Sequence, residues 1–457
     1  LRARAEHAWR QTQAGAVALV KRLQQIARLG RRQAEQLITA GRTAAGLAAE
    51  NERDRLEALD ALAHLDALRA RLPLVYRRLF SFQPVGDPLL LEQRDTALEA
   101  VRTAYQRWTD GQLTSAILLT GPPGSGRTSV LMALRRTLFS DASPATLVLT
   151  RRIENEPELA ALIAQALDLD PGPEPSLNRL EEILQAESER HRIGLIENLE
   201  HLLLRAPSGS DLYERMAVFL SRTDGVVFWV TTMVEPAWHF LLRTEPQIAA
   251  LSQPIVLQAL DRAGLEAAVM KRHMRSGLPL VFAEPTDLQP LTRRRLQRAE
   301  TEDAQQTILR EVFFDRLFRA SGGHLQLAFL HWLRTIDFEA VTDRLTVNPL
   351  HALDFSFIER FDLVRSFTLK ALLQHGSLTL PEHDRVLRTT REESFLVFEA
   401  LANELLIEQI VKPSGDGAMS RDTVGAPIAS ITPTDRYRIR PLVVNPVTEA
   451  LRAKNML

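Results

Sequence analysis

A glycine-rich segment carries the most recognisable chemistry in this sequence. It reads Gly-Pro-Pro-Gly-Ser-Gly-Arg-Thr at residues 121–128, follows a short apolar run and opens a run of helix-forming residues. Glycines let backbone N–H groups curl around an anion, and a helix N-terminus adds positive potential. The segment therefore predicts a phosphate-binding loop, with the Thr128 hydroxyl placed to ligate Mg²⁺. The expected nucleotide-binding residues are Gly121, Pro122, Pro123, Gly124, Ser125, Gly126, Arg127, Thr128 and Ser129.

Arg127 stands where the phosphate-loop pattern has lysine. A guanidinium keeps the positive charge, but it is larger than an ammonium and bonds phosphate through a planar fork. We therefore expect nucleotide binding to survive this replacement better than chemistry at the terminal phosphate.

A second chemical segment is Gly194–Glu200, where an apolar run ends in polar residues. Glu197 is expected to hold the metal together with Thr128, the alternative being a solvated acid at a strand end. Asn198 falls where a catalytic glutamate is usual, and an amide cannot act as a general base. Glu200 is a possible substitute, although the sequence favours a place for it on the surface of the following helix.

A third segment, Val226–Thr232, predicts a buried strand that ends in hydroxyl groups. At such a strand tip Thr231 or Thr232 can touch a terminal phosphate or orient water, while ordinary β propensity explains the threonines equally well. Thr232 joins Glu197 and Asn198 as the candidate catalytic residues.

The elements that must position these residues follow from hydrophobic periodicity. Between residues 115 and 258, short apolar runs alternate with amphipathic helices, which predicts a parallel sheet with helices on both faces. The pattern is then helical, and three helices followed by two short strands have the order of a winged helix. The predicted units are long N-terminal helices with a possible coiled coil (1–72), a connector (73–92), a P-loop α/β domain (93–258), an all-α lid (259–345) and a winged-helix domain (346–457).

Composition limits the other function classes. The 457 residues contain no cysteine, which excludes disulfides, thiolate metal sites and a cysteine nucleophile. Basic and acidic residues balance overall at 56 and 57, yet residues 1–49 hold nine basic and two acidic side chains. This basic arm fits self-association as a coiled coil, attachment to acidic lipid or nucleic acid, or a remnant of a membrane-anchored parent.

The cellular setting is predicted from the lack of long apolar segments. No apolar run approaches the roughly 18 residues that a membrane helix needs, so a cytoplasmic protein is expected. The sequence starts at Leu1 rather than at a methionine. A membrane anchor upstream of Leu1 therefore stays open as an alternative.

In their order along the chain, these motifs resemble those of AAA+ P-loop ATPases and their STAND relatives over about residues 84–445. The similarity is greatest to the replication-initiator branch and to STAND signalling ATPases. Residues 260–273 are similar to the first lid helix there, and residues 321–328 to the turn that opens the last lid helix. The resemblance implies ATP or ADP with Mg²⁺ bound between the α/β domain and the lid. His324 stands where these proteins often have a sensor arginine.

The departures at Arg127, Asn198 and His324 indicate a nucleotide-dependent conformational switch or assembly ATPase with slow hydrolysis, acting in a homo-oligomer or on a protein partner. One alternative is a pseudo-ATPase scaffold with a structural nucleotide. Another is a DNA-binding initiator or transposition-type ATPase. Phosphate repulsion disfavours nucleic acid, because the third helix of the predicted winged helix is acidic. Its acids are Glu392, Glu393, Glu399 and Glu404.

Overall fold

The computed structural model describes residues 52–410 and 431–457. The chain divides into two compact units, Leu1–Glu57 and Ala58–Leu457. Of the first unit only residues 52–57 are described, and they are helical. The coiled coil predicted within residues 1–72 falls mostly outside the described residues, as does most of the Gly- and Ser-rich loop that precedes the last predicted strand.

A five-stranded parallel sheet forms the centre of the second unit. Its strands are β1 (Ala116–Gly121), β2 (Ala145–Val148), β3 (Arg192–Glu197), β4 (Val227–Val234) and β5 (Ser252–Val256). The spatial order is β2-β3-β4-β1-β5. Strands β1, β3 and β4 are buried along their whole length, which requires helices on both faces of the sheet. The prediction of an α/β domain built on a parallel sheet is confirmed.

The helices alternate with these strands and then continue beyond them. They are α1 (Leu65–Ala70), α2 (Leu74–Leu79), α3 (Asp95–Thr109), α4 (Arg127–Thr137), α5 (Glu156–Leu167), α6 (Leu177–Ala186), α7 (Asp211–Arg222), α8 (Glu235–Thr244), α9 (Pro246–Ala249), α10 (Arg262–Ser276), α11 (Pro290–Gln297), α12 (Glu302–Ser321), α13 (Leu325–Thr335), α14 (Leu363–His375), α15 (Leu380–Leu387), α16 (Arg391–Asn403) and α17 (Val444–Ala453). Side-chain caps explain many of the starts: Asn155 and Ser176 accept backbone N–H groups of α5 and α6.

The region predicted as an all-α lid contains a small sheet as well as helices. Strands β6 (Leu280–Phe282), β7 (Ile336–Glu339) and β8 (Arg344–Val347) pair in the order β6-β8-β7. Strands of three or four residues are too short to show a periodicity of their own, and β7 follows α13 without a break. The core of this region is aromatic, with Trp332 stacked on Phe314.

The C-terminal region has three helices, α14 to α16, followed by an antiparallel pair of strands, β9 (Ile407–Ile410) and β10 (Arg436–Ile439). Helix α17 closes the chain and packs against this region. That these elements form a winged helix remains a prediction. In the part of the chain that the structure describes, no helix combines the length and apolar character that crossing a membrane requires.

Candidate functional site

The glycine-rich segment forms a tight loop between the end of β1 and the start of α4. Gly124 and Gly126 have φ of +83° and +90°, which L side chains rarely adopt, and the Ser125 N–H donates to the Pro122 carbonyl at 3.0 Å. No side chain caps α4, whose N-cap is Gly126. The first-turn N–H groups of α4 therefore lack intrahelical acceptors, as in an anion-binding helix start.

Two side chains in this loop carry polar atoms that the protein does not satisfy. The Arg127 Nη1 and the Ser125 Oγ are buried without a hydrogen-bond partner among the described residues. Burial lowers the pKa of Arg127, against the opposing charges of Glu200 and Glu197. Buried donors are normally paired, and a phosphate oxygen would satisfy both atoms. The loop thus fits the polyphosphate of a nucleotide.

Thr128 and Glu197, the predicted metal pair, are brought together. The Thr128 hydroxyl donates to Glu197 Oε2 at 2.7 Å, and Glu197 is 7% exposed at the end of β3. Two adjacent oxygens of this kind suit Mg²⁺, which would take its other ligands from water and nucleotide phosphates. Within residues 52–410 and 431–457, no three His, Cys, Asp or Glu side chains gather into a metal site.

Asn198 and Thr232, the other candidate catalytic residues, are engaged with each other and with the sheet. Asn198 has φ of +66°, and its side-chain amide donates to the Leu149 carbonyl at 3.1 Å. Its backbone N–H donates to the Thr232 hydroxyl at 2.9 Å. Strand β4 extends two residues past Thr232, so both threonines lie inside the strand rather than at its tip; the Thr231 hydroxyl donates to the Ile117 carbonyl.

Glu200 was expected on the surface of a helix, and the structure shows that this expectation is wrong. A short 3₁₀ turn, Leu199–Leu202, follows Asn198 and turns the Glu200 side chain inward, where it is 3% exposed. Its Oε2 accepts the Val234 N–H at 3.2 Å. Burial raises the pKa of Glu200, opposed by the nearby charge of Arg127. The phosphate loop therefore faces two carboxylates, Glu197 and Glu200, beside its one cation.

His324 joins the lid to the phosphate loop. Its Nε2 donates to the Pro123 carbonyl at 2.9 Å, while its Nδ1 faces the Leu327 N–H at 3.4 Å and caps α13. Burial lowers the pKa of His324, which favours the neutral ring, and acceptance of the Leu327 N–H by Nδ1 leaves the proton on Nε2. A Cβ added to Gly124 would lie 2.5 Å from Nε2, so the histidine packs directly on the loop backbone.

Arg94 is a loop contact that sequence reasoning missed. Its Nη2 donates to the Ser125 carbonyl and to the Gln258 carbonyl, each at 3.0 Å, which ties the loop to the segment after β5. Ser129, predicted to bind nucleotide, accepts the Val85 N–H with its Oγ at 3.1 Å. No local motif marks either contact, because each joins segments more than 30 residues apart.

No protein-family model matches this sequence, and no curated protein sequence does either. Among solved structures, the ORC2 protein of Aeropyrum pernix in ADPNP–ADP complexes is similar over 83% of this chain and 98% of that chain, at 16% identity and a TM-score of 0.40. Cdc6p of Pyrobaculum aerophilum is similar over 82% and 98%, at 14% identity and a TM-score of 0.35. A Walker-type ATPase of Pyrococcus abyssi is similar over 81% and 99%, at 12% identity and a TM-score of 0.39.

The similar structures thus include ORC and Cdc6 proteins.

Proposed function

We propose that this chain binds ATP or ADP with Mg²⁺ at residues 121–129 and acts as a nucleotide-dependent conformational switch with slow hydrolysis or none. The observation that supports it most is a pair of buried atoms, Arg127 Nη1 and Ser125 Oγ, that have no hydrogen-bond partner among the described residues. They lie in a loop that begins a helix which no described side chain caps. Thr128 and Glu197 would hold the metal, which would screen the phosphate charge.

The switch is proposed from the contacts between lid and loop. His324 donates to the loop at Pro123 and also caps α13, so a shift of the loop backbone is transmitted directly to that helix. A ligand changes a conformational equilibrium only by the difference in its affinity for the two states. A terminal phosphate at the loop would provide that difference by competing with His324 for space beside Gly124.

Slow hydrolysis is proposed from the groups that would have to activate water. The Asn198 amide is not a base and bonds to Leu149, and the Thr232 hydroxyl is occupied by the Asn198 N–H. Of the other carboxylates near Arg127, Glu200 accepts the Val234 N–H. Glu235 lies 3.9 Å from Arg452. In the proposed role the protein acts through a second copy or a protein partner.

A pseudo-ATPase scaffold is the second candidate, favoured by the internal compensation of Arg127 by three carboxylates, Glu200, Glu197 and Glu235. In that case a nucleotide would be structural only. A DNA-binding initiator is the third candidate and is expected to show salt-dependent DNA binding.

Calorimetric titration of ATP–Mg²⁺ and ADP–Mg²⁺ into wild type, Arg127→Ala and Arg135→Ala tests nucleotide binding. Loss of a charge-assisted bond to phosphate should weaken binding roughly tenfold or more in Arg127→Ala. Arg135 is exposed on the same helix and is the matched control. Equal nucleotide affinity in wild type and Arg127→Ala would refute the proposed site.

Hydrogen exchange across residues 323–327 and phosphate release separate the candidates. The switch predicts exchange that differs between the ATP and ADP states, with little release. Identical exchange in the two states and no release select the scaffold instead, and turnover at an ordinary enzymatic rate contradicts both.

A further inference from the structure

A cavity of about 410 Å³ lies beside the phosphate loop, with Pro122 and Pro123 in one wall. Its other walls come from α8, α14, α17 and the segment after β3. We call it the α8–α14–α17 cavity. Four basic side chains line it: Arg205, Arg243, Lys370 and Arg452. These residues are spread over nearly 250 positions of the sequence, and only the fold brings them together.

Three of these cations have no acidic partner. Among the residues that the structure describes, no carboxylate lies within 4 Å of the side-chain nitrogens of Arg205, Arg243 or Lys370. In contrast, Arg452 lies 2.9 Å from Glu449 and 3.9 Å from Glu235. Burial lowers the pKa of Lys370, and the charges of Arg205 and Arg243 lower it further. The three cations thus repel one another across a shared space, and an anion there would relieve that repulsion.

The cavity also has neutral polar and apolar groups. Gln374 is 8% exposed and lines the cavity, and its Oε1 has no hydrogen-bond partner in the described part of the chain. Buried amide groups are usually hydrogen-bonded, so the partner of the Gln374 Oε1 is expected to be a group that the structure does not contain, such as a ligand. The Phe240 ring and Pro236 supply apolar wall. A size of a few hundred Å³ with mixed lining is typical of small-ligand sites.

We propose that the α8–α14–α17 cavity binds a small phosphorylated ligand, separately from the nucleotide at residues 121–129. Three unpaired cations match the charge of a di- or triphosphate, and guanidinium groups bind phosphoryl oxygens in a bidentate manner. Gln374 bonds a neutral polar group of the ligand. A duplex is a poorer fit, because the cations converge on a bounded concave space and Glu235 forms part of its wall.

This site stands independently of the proposed function, and one titration distinguishes them. Pyrophosphate is the probe, titrated calorimetrically into wild type, Arg127→Ala, the double variant Arg243→Gln/Lys370→Gln, and Arg135→Gln as the matched control. Loss of two charge-assisted contacts should weaken the cavity site at least roughly tenfold in the double variant. ADP–Mg²⁺ affinity in the same variant should stay within roughly threefold of wild type, as should pyrophosphate affinity in Arg135→Gln.

Each outcome decides the proposal. Pyrophosphate binding that persists in Arg127→Ala and is lost in the double variant supports it, whatever ADP does at the phosphate loop. Pyrophosphate binding that disappears in Arg127→Ala and is unchanged in the double variant overturns it. If the double variant loses salt-dependent binding of duplex DNA while wild type binds no pyrophosphate, the cavity faces nucleic acid and the proposal is likewise wrong. Circular dichroism confirms that the double variant is folded.

Discussion

The two anion sites proposed for this protein lie side by side, and they are built in opposite ways. At the phosphate loop one cation, Arg127, is opposed by two buried carboxylates, Glu197 and Glu200. In the neighbouring α8–α14–α17 cavity, Arg205, Arg243 and Lys370 have no carboxylate within ion-pair distance among the described residues. The first proposed site would accept phosphate through backbone N–H groups and a metal, and the second through side-chain charge.

This contrast predicts how anion binding at each site should respond to substitutions and to ionic strength. Backbone donors are fixed by loop conformation, so the phosphate loop should be sensitive to glycine replacement and to the balance of its carboxylates. Side-chain cations at a partly open cavity are screened by salt, so the cavity should weaken steadily as ionic strength rises.

The largest effect is expected from Gly124→Val, which attacks the backbone of the phosphate loop. The residue has φ of +83°, and its Cβ would lie 2.5 Å from the His324 Nε2, so the loop or the lid must move. We expect nucleotide affinity to fall roughly 100-fold or more, as measured by calorimetry. Gly111→Val is the matched control, because its φ is +78° but open space surrounds it. A Gly124→Val protein that binds ATP with wild-type affinity would contradict the claim that the loop backbone binds the phosphates.

On the side of the α8–α14–α17 cavity, acid should lower the free energy of unfolding through His375. Burial lowers the pKa of His375 to about 3, and its Nε2 accepts the Arg205 N–H at 3.4 Å. The folded-state pKa of His375 lies below the unfolded value of about 6.5, so the neutral, buried imidazole contributes fully to folding stability above pH 6.5. That contribution is lost as the pH falls from 6.5 toward the folded-state pKa. At pH 5 the cost is about 2 kcal/mol of unfolding free energy.

Urea unfolding of wild type and His375→Leu at pH 7.5 and 5.0 measures this cost. The wild type should lose about 2 kcal/mol more than the variant on acidification. Equal losses in both proteins contradict the neutral, buried state of His375.

Glu200→Gln sharpens the comparison by removing one of the two carboxylates at the phosphate loop. Without that negative charge beside Arg127, ATP affinity should rise severalfold at pH 8, because one fewer carboxylate repels the phosphates. The gain should shrink as pH falls, since the raised pKa of Glu200 lets the wild type lose the same charge by protonation. Glu214→Gln, at an exposed position, should leave the affinity unchanged.

The smallest effect is expected from Asn198→Glu, which restores the acid that the P-loop ATPase pattern predicts. The Asn198 side chain points to the Leu149 carbonyl rather than toward the phosphate loop, so a carboxylate there is not positioned as a base. Phosphate release should remain at the wild-type rate. A tenfold rise in turnover would show instead that a side chain at position 198 can reach the phosphate loop, which contradicts the orientation described for Asn198.

The sheet was predictable because each of its strands is a local apolar run. The apolar run before the glycine-rich segment forms strand β1, Ala116–Gly121, and the helix-forming run that the segment opens forms α4, which begins at Arg127. The small sheet near residues 280 and 336–347 was missed, because its strands form only when distant segments pair. In a prediction from one sequence, the helical periodicity of the surrounding residues obscures strands of three or four residues.

The site residues also divide into those that local sequence patterns predict and those that depend on contacts between distant segments. Thr128 and Glu197 lie in hydrogen-bond contact, as expected where the carboxyl ends of parallel strands share one edge of a sheet, and their role as a metal pair stays a prediction. Glu200 was misplaced, because one 3₁₀ turn in place of a helix reverses the direction of its side chain. Arg94 gave no signal, because its partners lie 31 and 164 residues away.

The sequence by itself determined the phosphate loop, since its glycines, its hydroxyl and its helix start are contiguous and their conformations are local. It also determined the departures at Arg127 and Asn198 that argue against rapid hydrolysis. Tertiary structure alone decided what surrounds the loop: the inward Glu200, the His324 contact and the neighbouring cluster of cations. Those features depend on which distant side chains share a buried space, and charge and burial act through distance in space rather than along the chain.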